Sequence, residues 1–255
     1  MSLSVVVTGA SGDLGRELAL HHAAPGTTLC LFGRNRERLT ETADLCKAKG
    51  ATVASHIADV VNMQLMTKLL LDHDNAHPVD RLYVNAGISG SVGADQKSEA
   101  VDQLVAIMSV NATAAMATAA AILDRMRQRG TGQIVFVASL AALYGFPNTP
   151  AYSASKSAIL TYGLALRRLA CSDRVGITVA CPGFIESAMS RRVDGPKPLM
   201  VTASEAAGRI VRGADGNRAT VMFPIALWIG ITLLKLLPPI LQRPFLRLFH
   251  YDVRG

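Results

Sequence analysis

The sequence predicts an α/β protein built on a doubly wound parallel sheet, folded as a single domain with an apolar C-terminal extension. Two observations carry this. Short apolar, β-branched runs alternate with helix-like segments along most of the 255 residues, and a chain of this length that is 50% hydrophobic buries one large core.

The elements follow in order. "LSVVV" reads as a strand, "TGASGDLG" as a Gly-rich turn and "LGRELALHHA" as a helix. "TTLCLFG" precedes a charged helix over 35–49, "TVASHIA" precedes a helix near 62–73, and "RLYV" precedes Asn85 and a long Ala-rich helix around 100–129. "GQIVFVAS" and "VGITVAC" add two strands with a helix over 151–171 between them, and "ATVMF" at 219–223 reads as the last strand. Between "CPG" at 181–183 and Thr202 the periodicity lapses, so 184–201 is expected to be a loop or lid. Thr202 with Glu205 has the spacing of a capping box. The expected boundaries are a catalytic domain over 1–223 and an extension over 224–255, with no internal repeat.

Composition narrows the function classes. An excess of 26 Lys and Arg over 19 Asp and Glu gives a net charge of +7, but the basic residues are scattered and not interleaved with aromatics. Nucleic acid is therefore not an expected partner; an anionic ligand, an acidic surface or solubility accounts for the charge. Cys30, Cys46, Cys171 and Cys181 show no metal-ligand spacing, so no metal is expected and a reducing cytoplasm is the expected setting. "MSLSVVVTGA" has no basic leader ahead of its apolar run, so no cleaved signal peptide is expected.

Three groups of residues point to chemistry. In "TGASGDLG", Gly9, Gly12 and Gly15 leave backbone bare at a strand-to-helix turn, where a pyrophosphate sits against a helix N-terminus. At the end of the second strand, where an NAD-preferring protein carries a carboxylate, the sequence reads Gly33, Arg34, Asn35, Arg36. Guanidinium groups suit the 2′-phosphate of NADP, and Arg16 is a second candidate cation. Tyr152 and Lys156 stand four apart on one helical face, and a neighbouring ammonium favours phenolate, pulling a tyrosine down from its usual value of about 10. Ser139 closes its strand with a hydroxyl for the same substrate oxygen. Thr8, Gly33, Asp59, Asn85, Ser139 and Pro182 all fall at carboxyl ends of strands, the edge that binds ligands in open α/β sheets.

The order of "TGASGDLG", "ADV" at 58–60, "NAG" at 85–87, Asn111, Ser139, "YSASK" at 152–156 and "PG" at 182–183 resembles the short-chain dehydrogenase/reductase superfamily in its compact, single-domain, Rossmann-fold subclass, over roughly residues 3–213. The resemblance implies an NADP(H)-dependent oxidoreductase that interconverts a carbonyl and an alcohol, with a catalytic tetrad of Asn111, Ser139, Tyr152 and Lys156. In it Tyr152 exchanges the proton, Ser139 orients the oxygen, Lys156 binds the nicotinamide ribose, and the backbone near Asn111 holds a relay water. The implied cofactor contacts are Thr8, Gly9, Ser11, Gly12, Asp13, Leu14 and Gly15 in the first turn, then Gly33 and Arg34. Asp59 and Val60 flank the adenine, and Asn85, Ala86 and Gly87 line the central cleft. Tyr152 and Lys156, with Pro182, Gly183, Ile185 and Ser187, meet the nicotinamide end. A homodimer or homotetramer is expected.

Three positions depart from the pattern. "TGASGDLG" has the glycine spacing of the extended subclass, which includes sugar epimerases and dehydratases; Val84 replaces an Asn, and Ser187 stands where Thr is common. Two rival functions stay open: a non-catalytic NADP-binding sensor or scaffold, and an extended-type sugar epimerase or dehydratase. Net NADPH consumption separates the leading reading from both.

The lid segment, with Met189, Arg191, Arg192 and Lys197, mixes apolar and basic groups. These suit a lipophilic carbonyl with an anionic head, or are solvated loop charges. "IALWIGITLLKLL" at 225–237 is apolar all round, yet its length of about 20 Å falls short of a hydrocarbon core of about 30 Å, and Pro238-Pro239 ends it. It either covers the substrate pocket or an oligomer interface, or lies with 224–249 on a membrane surface flanked by Lys235, Arg243 and Arg247, giving a peripherally membrane-associated protein.

Overall fold

The computed structural model describes residues 3–92, 98–238, 240–242 and 252–253. A seven-stranded sheet runs in the order β3-β2-β1-β4-β5-β6-β8, every neighbouring pair parallel. The strands are β1 (Leu3–Thr8), β2 (Thr27–Gly33), β3 (Thr52–Ile57), β4 (Arg81–Val84), β5 (Gly132–Val137), β6 (Val175–Pro182) and β8 (Thr220–Phe223). A separate antiparallel pair joins β7 (Val193–Asp194) to β9 (Asp252–Val253).

Helices cover both faces, which explains why the strands read as unbroken apolar runs. Alternate residues serve opposite cores: Val6, Cys30, Phe32, Leu82 and Phe136 face one way, and Val5, Val7, Leu29, Leu31, Tyr83 and Val135 face the other. The first face packs α3 (Met63–Ala76), α5 (Ala115–Arg129) and α6 (Pro150–Leu169); the second packs α1 (Asp13–His22), α2 (Arg36–Ala48) and α8 (Ala203–Asp215). β3 sits at the sheet edge and is correspondingly polar, "TVASHI".

The helix expected around 100–129 is continuous but changes pitch. α4 (Val101–Met108) passes into a π-helical turn, Ser109–Ala114, before α5 resumes. The run is long and apolar enough to cross a membrane, but half of its most apolar stretch is buried within the fold, which makes it a core helix.

Two expectations change, and the extension is seen in part. The segment 184–201 is folded: α7 (Ala188–Arg191) and β7 lie within it, and Ile185 bridges Val201 at its base. Thr202 does cap α8, its Oγ1 accepting the Glu205 N–H at 3.1 Å, but the Glu205 carboxylate pairs with Arg209 at 2.6 Å, so among the described bonds only half of the capping box is present. In the extension, α9 (Ile225–Leu234) packs on the domain through buried Ile231 and Leu234, while Pro239 and residues 243–251, including Arg243 and Arg247, lie outside the described residues.

Candidate active site

The sheet splits its winding at β1 and β4, where one crossover goes to each side, and the cleft opens over their carboxyl ends. Thr8 stitches the two strands. Its Oγ1 donates to the Tyr83 carbonyl at 3.3 Å and accepts the N–H groups of Asn85 and Ala86 at 3.0 and 3.1 Å. Asn85 Nδ2 returns a bond to the Thr8 carbonyl at 3.0 Å. Thr8 is thus a buried brace beneath the cleft and lies off its lining.

The turn after β1 has room for backbone only. Gly9 has φ +69°, and a Cβ there would lie 2.8 Å from Ala86 Cα; a Cβ on Gly15 would lie 2.2 Å from the Gly9 carbonyl oxygen. No side chain caps α1 at Gly12, so its first turn meets the cleft with bare backbone at Gly12, Leu14 and Gly15. This cradle, which a single Cβ would fill, fits a dinucleotide pyrophosphate.

The cations beyond β2 are arranged differently from the expectation. Arg34 lines the cleft and pairs with Asp59 at 3.3 Å, both exposed. Arg16 points to Glu41 at 2.8 Å and Arg36 lies off the lining; the second cation at the cleft is Arg38. Asn35 caps α2 by accepting the Arg38 N–H at 2.9 Å, and the Arg38 guanidinium folds back to Asp13 Oδ1 at 2.5 Å. The other Asp13 oxygen takes the Ala188 N–H at 2.5 Å, tying α7 to the first turn. Partial burial raises the Asp13 carboxyl, but the Ala188 N–H and the Arg38 charge outweigh it and hold it below the usual range.

At the centre, Asn111 occupies the π-helical turn, a distortion common at functional positions. Its Oδ1 accepts the Ile88 N–H at 2.8 Å, and its Nδ2 donates to the Ile88 carbonyl at 2.8 Å and to Ser155 Oγ at 3.1 Å. Like Thr8, Asn111 is buried and lies off the lining. A Cβ on Gly87 would stand 3.3 Å from both Asn111 Oδ1 and Lys156 Nζ, so any side chain there would crowd both groups.

Tyr152 and Lys156 both face the cleft from α6, the ammonium 5.7 Å from the tyrosine ring centre. Lys156 is 5% exposed, its Nζ donates to the Val137 carbonyl at 2.9 Å, and burial pulls its pKa down to about 8. Ser139, past the end of β5, donates to the Pro182 carbonyl at 3.4 Å and accepts the Ala141 N–H at 3.1 Å. Buried Cys181, pushed up to about 12, stays a thiol beside them. Gly183 donates to the Phe223 carbonyl at 2.7 Å, and Ser187 forms a reciprocal capping box with Ser190 at the start of α7.

One cavity of roughly 570 Å³ gathers these groups. Of the expected contacts, Gly9, Ser11, Gly12, Asp13, Leu14, Gly15, Gly33, Arg34, Asp59, Val60, Asn85, Ala86, Gly87, Ser139, Tyr152, Lys156, Pro182, Gly183, Ile185 and Ser187 line it. An apolar wall extends its far end: Leu140 and Phe146, which sequence reasoning missed, and Leu227 and Ile231 from α9, within the segment expected to cover either the pocket, an oligomer interface or a membrane surface. Met189 and Arg192 of the lid also line it, whereas Arg191 and Lys197 do not. Among the described residues no cluster of His, Cys, Asp or Glu could hold a metal.

Comparison with known proteins agrees with this geometry. The family model for short chain dehydrogenases matches residues 4–197. The chain is 32% identical over 236 residues to an uncharacterized oxidoreductase of Myxococcus xanthus, covering 92% of each, and 30% identical to the ketoacyl reductase HetN of Nostoc sp., covering 85% of this chain and 76% of that one. In fold it is similar to a short-chain dehydrogenase from Sphingobium yanoikuyae in complex with NADPH (TM-score 0.79, 22% identity, 92% and 94% covered). It is similar also to a short-chain dehydrogenase/reductase from Burkholderia phymatum in complex with NAD (TM-score 0.83, 20% identity, 92% and 93% covered). With the family model spanning most of the chain and a relative of this identity aligned nearly end to end, the chain belongs to the short-chain dehydrogenase/reductase superfamily and is an oxidoreductase of that family.

Proposed function

We propose that the protein is an NADP(H)-dependent oxidoreductase that interconverts a carbonyl and an alcohol, with Tyr152 as the acid and base. The observation that carries this reading is that Tyr152, Lys156 and Ser139 border one cavity whose other end is a bare glycine cradle flanked by Arg34 and Arg38.

The glycine turn would hold the pyrophosphate, Arg34 and Arg38 a 2′-phosphate, and Lys156 the nicotinamide ribose. When bound, the dinucleotide supplies or takes up the hydride. The work of this chain's own residues is proton transfer and orientation. Tyr152 gives its hydroxyl proton to the carbonyl oxygen as the carbon becomes tetrahedral, or takes it in the reverse direction. Ser139 re-aims its hydroxyl from the Pro182 carbonyl to the substrate oxygen. Lys156 stabilises the tyrosinate left behind by its charge, and Asn111 holds the Ile88 backbone beside the cleft.

The apolar wall of Leu140, Phe146, Leu227 and Ile231 supports a lipophilic substrate, and the ketoacyl reductase among the relatives fits a carbonyl on an acyl chain. Exposed Val101, Leu104 and Val105 on α4 support a contact between copies in a homo-oligomer. A panel of carbonyl compounds followed by NADPH absorbance tests the reaction. Tyr152→Phe should lower turnover by about a hundredfold or more while leaving NADPH binding intact. Unchanged turnover in that variant, or no net NADPH consumption with any carbonyl, removes the reading in favour of a sensor or an epimerase-type enzyme.

A further inference from the structure

We infer that the outer face of α9 is a docking surface for an anionic lipid bilayer. The helix presents two apolar stripes. Leu227, Ile231 and Leu234 turn inward, the first two into the cleft and the last into the packed interior. Ile225, Trp228, Ile229 and Leu233 turn outward, with Ile225 at 62% and Leu233 at 59% exposed, and Leu236, just past the helix end, is 78% exposed. The exposure continues at Ile240 and Leu241 beyond the helix. A contiguous apolar face of this kind on a soluble domain marks a surface that meets something apolar.

Charge decides what it meets. From Gly216 to Tyr251 the sequence carries Arg218, Lys235, Arg243 and Arg247 and neither Asp nor Glu, and Lys235 is exposed beside the outward stripe. A second copy docked through this same face would set one acid-free segment against another, with no carboxylate from it to meet Lys235. An anionic headgroup layer offers the opposite charge around an apolar interior. The ten residues of α9 reach about 15 Å, half of a hydrocarbon core, so the helix lies in the interface plane and does not span. Because its inner stripe lines the cleft, a bilayer seated on the outer stripe lies one helix away from the cavity. Resting on the proposed function, this places the entry of a lipophilic carbonyl at α9.

The test uses full-length protein, without cofactor or substrate, and vesicles of phosphatidylcholine with and without phosphatidylglycerol. Trp228 is the chain's single tryptophan and sits on the outward stripe, so its emission reports contact directly. The expected result is flotation with the anionic vesicles at low salt, weakening as salt is raised, with a blue-shifted Trp228 emission quenched by brominated acyl chains. L233E/L236E should lower the partition by about tenfold or more, with unchanged far-UV circular dichroism, mass in solution and NADPH turnover of a water-soluble carbonyl. Lys235→Glu, at an exposed position that leaves packing alone, should weaken binding to the anionic vesicles only. Protein that stays at the bottom with both vesicles, flotation equal in wild type and L233E/L236E, or a change of mass in that variant without flotation overturns the proposal, the last by assigning the face to a second copy. Vesicle binding without any turnover keeps this inference and sinks the proposed reaction instead.

Discussion

Asp13 holds Arg38 over the N-terminus of α1 at 2.5 Å, so a cation carried by α2 is delivered to the turn that begins α1. The carboxylate stands inside the glycine turn, where a negative charge would repel a pyrophosphate. Arg38 offsets its charge, and the Ala188 N–H ties α7 to the same point.

That pairing leads to the first expectation. Arg38→Leu removes a guanidinium at the place proposed for the 2′-phosphate, and a lost charge-assisted contact is worth about 1.5–3 kcal/mol. The KM for NADPH should rise about tenfold or more while that for NADH changes far less, measured by steady-state kinetics with one carbonyl substrate. An equal rise for both cofactors would remove Arg38 from the phosphate site.

Lys156 sets a pH limit. Burial lowers its pKa to about 8, so its ammonium is complete below that value and lost above it. Carbonyl reduction, which uses that charge beside Tyr152, should show kcat/KM falling as pH rises through about 8. A flat profile up to about pH 10 would contradict this.

A buried histidine, His73, and a half-buried one, His22, predict acid sensitivity. Burial, aided by Arg81 and His21, lowers His22 from 6.5 to about 4, and burial, aided by His77 and His56, lowers His73 likewise to about 4. Between those values the unfolded chain binds more protons than the folded one, so stability rises with pH in that window and is lost as pH falls from about 6.5 to about 4. His73 is held against Ser4 Oγ at 3.2 Å and His22 against the Tyr83 hydroxyl at 2.8 Å. Depressed carboxylates such as Asp74 act below this window, since their contribution fades only as pH falls from about 3.8. The Tm should drop between about pH 6.5 and pH 4.5, and less so in His73→Gln; a Tm constant over that range would contradict the reading.

Asn111→Leu should destabilise the domain by about 2–4 kcal/mol, because the Ile88 N–H and carbonyl lose their side-chain partner in a buried setting. Urea denaturation checks the size. A midpoint unchanged from wild type would show that the π-helical turn is held by other contacts.

Much of this was legible in the chain alone. The alternation of β-branched runs with helical segments determined a doubly wound sheet because strands buried on both faces must be apolar at nearly every position, as Val5, Val6 and Val7 are. Gly9 and Gly15, Tyr152 with Lys156, and Ser139 announced themselves because their roles depend on local geometry: a turn without Cβ, one helical face, one strand end. What depended on distance across the fold could not be read this way. That Arg38 and not Arg16 reaches the cleft was decided by Asp13, that Thr8 and Asn111 are braces by Tyr83, Asn85 and Ile88, and that α9 closes the cavity by its packing on the far wall. The start of α7 shows the reason most directly: Asp13 and Ala188 are bonded across 175 residues of sequence, and such a meeting is set by the closure of the whole sheet rather than by any pattern of neighbours.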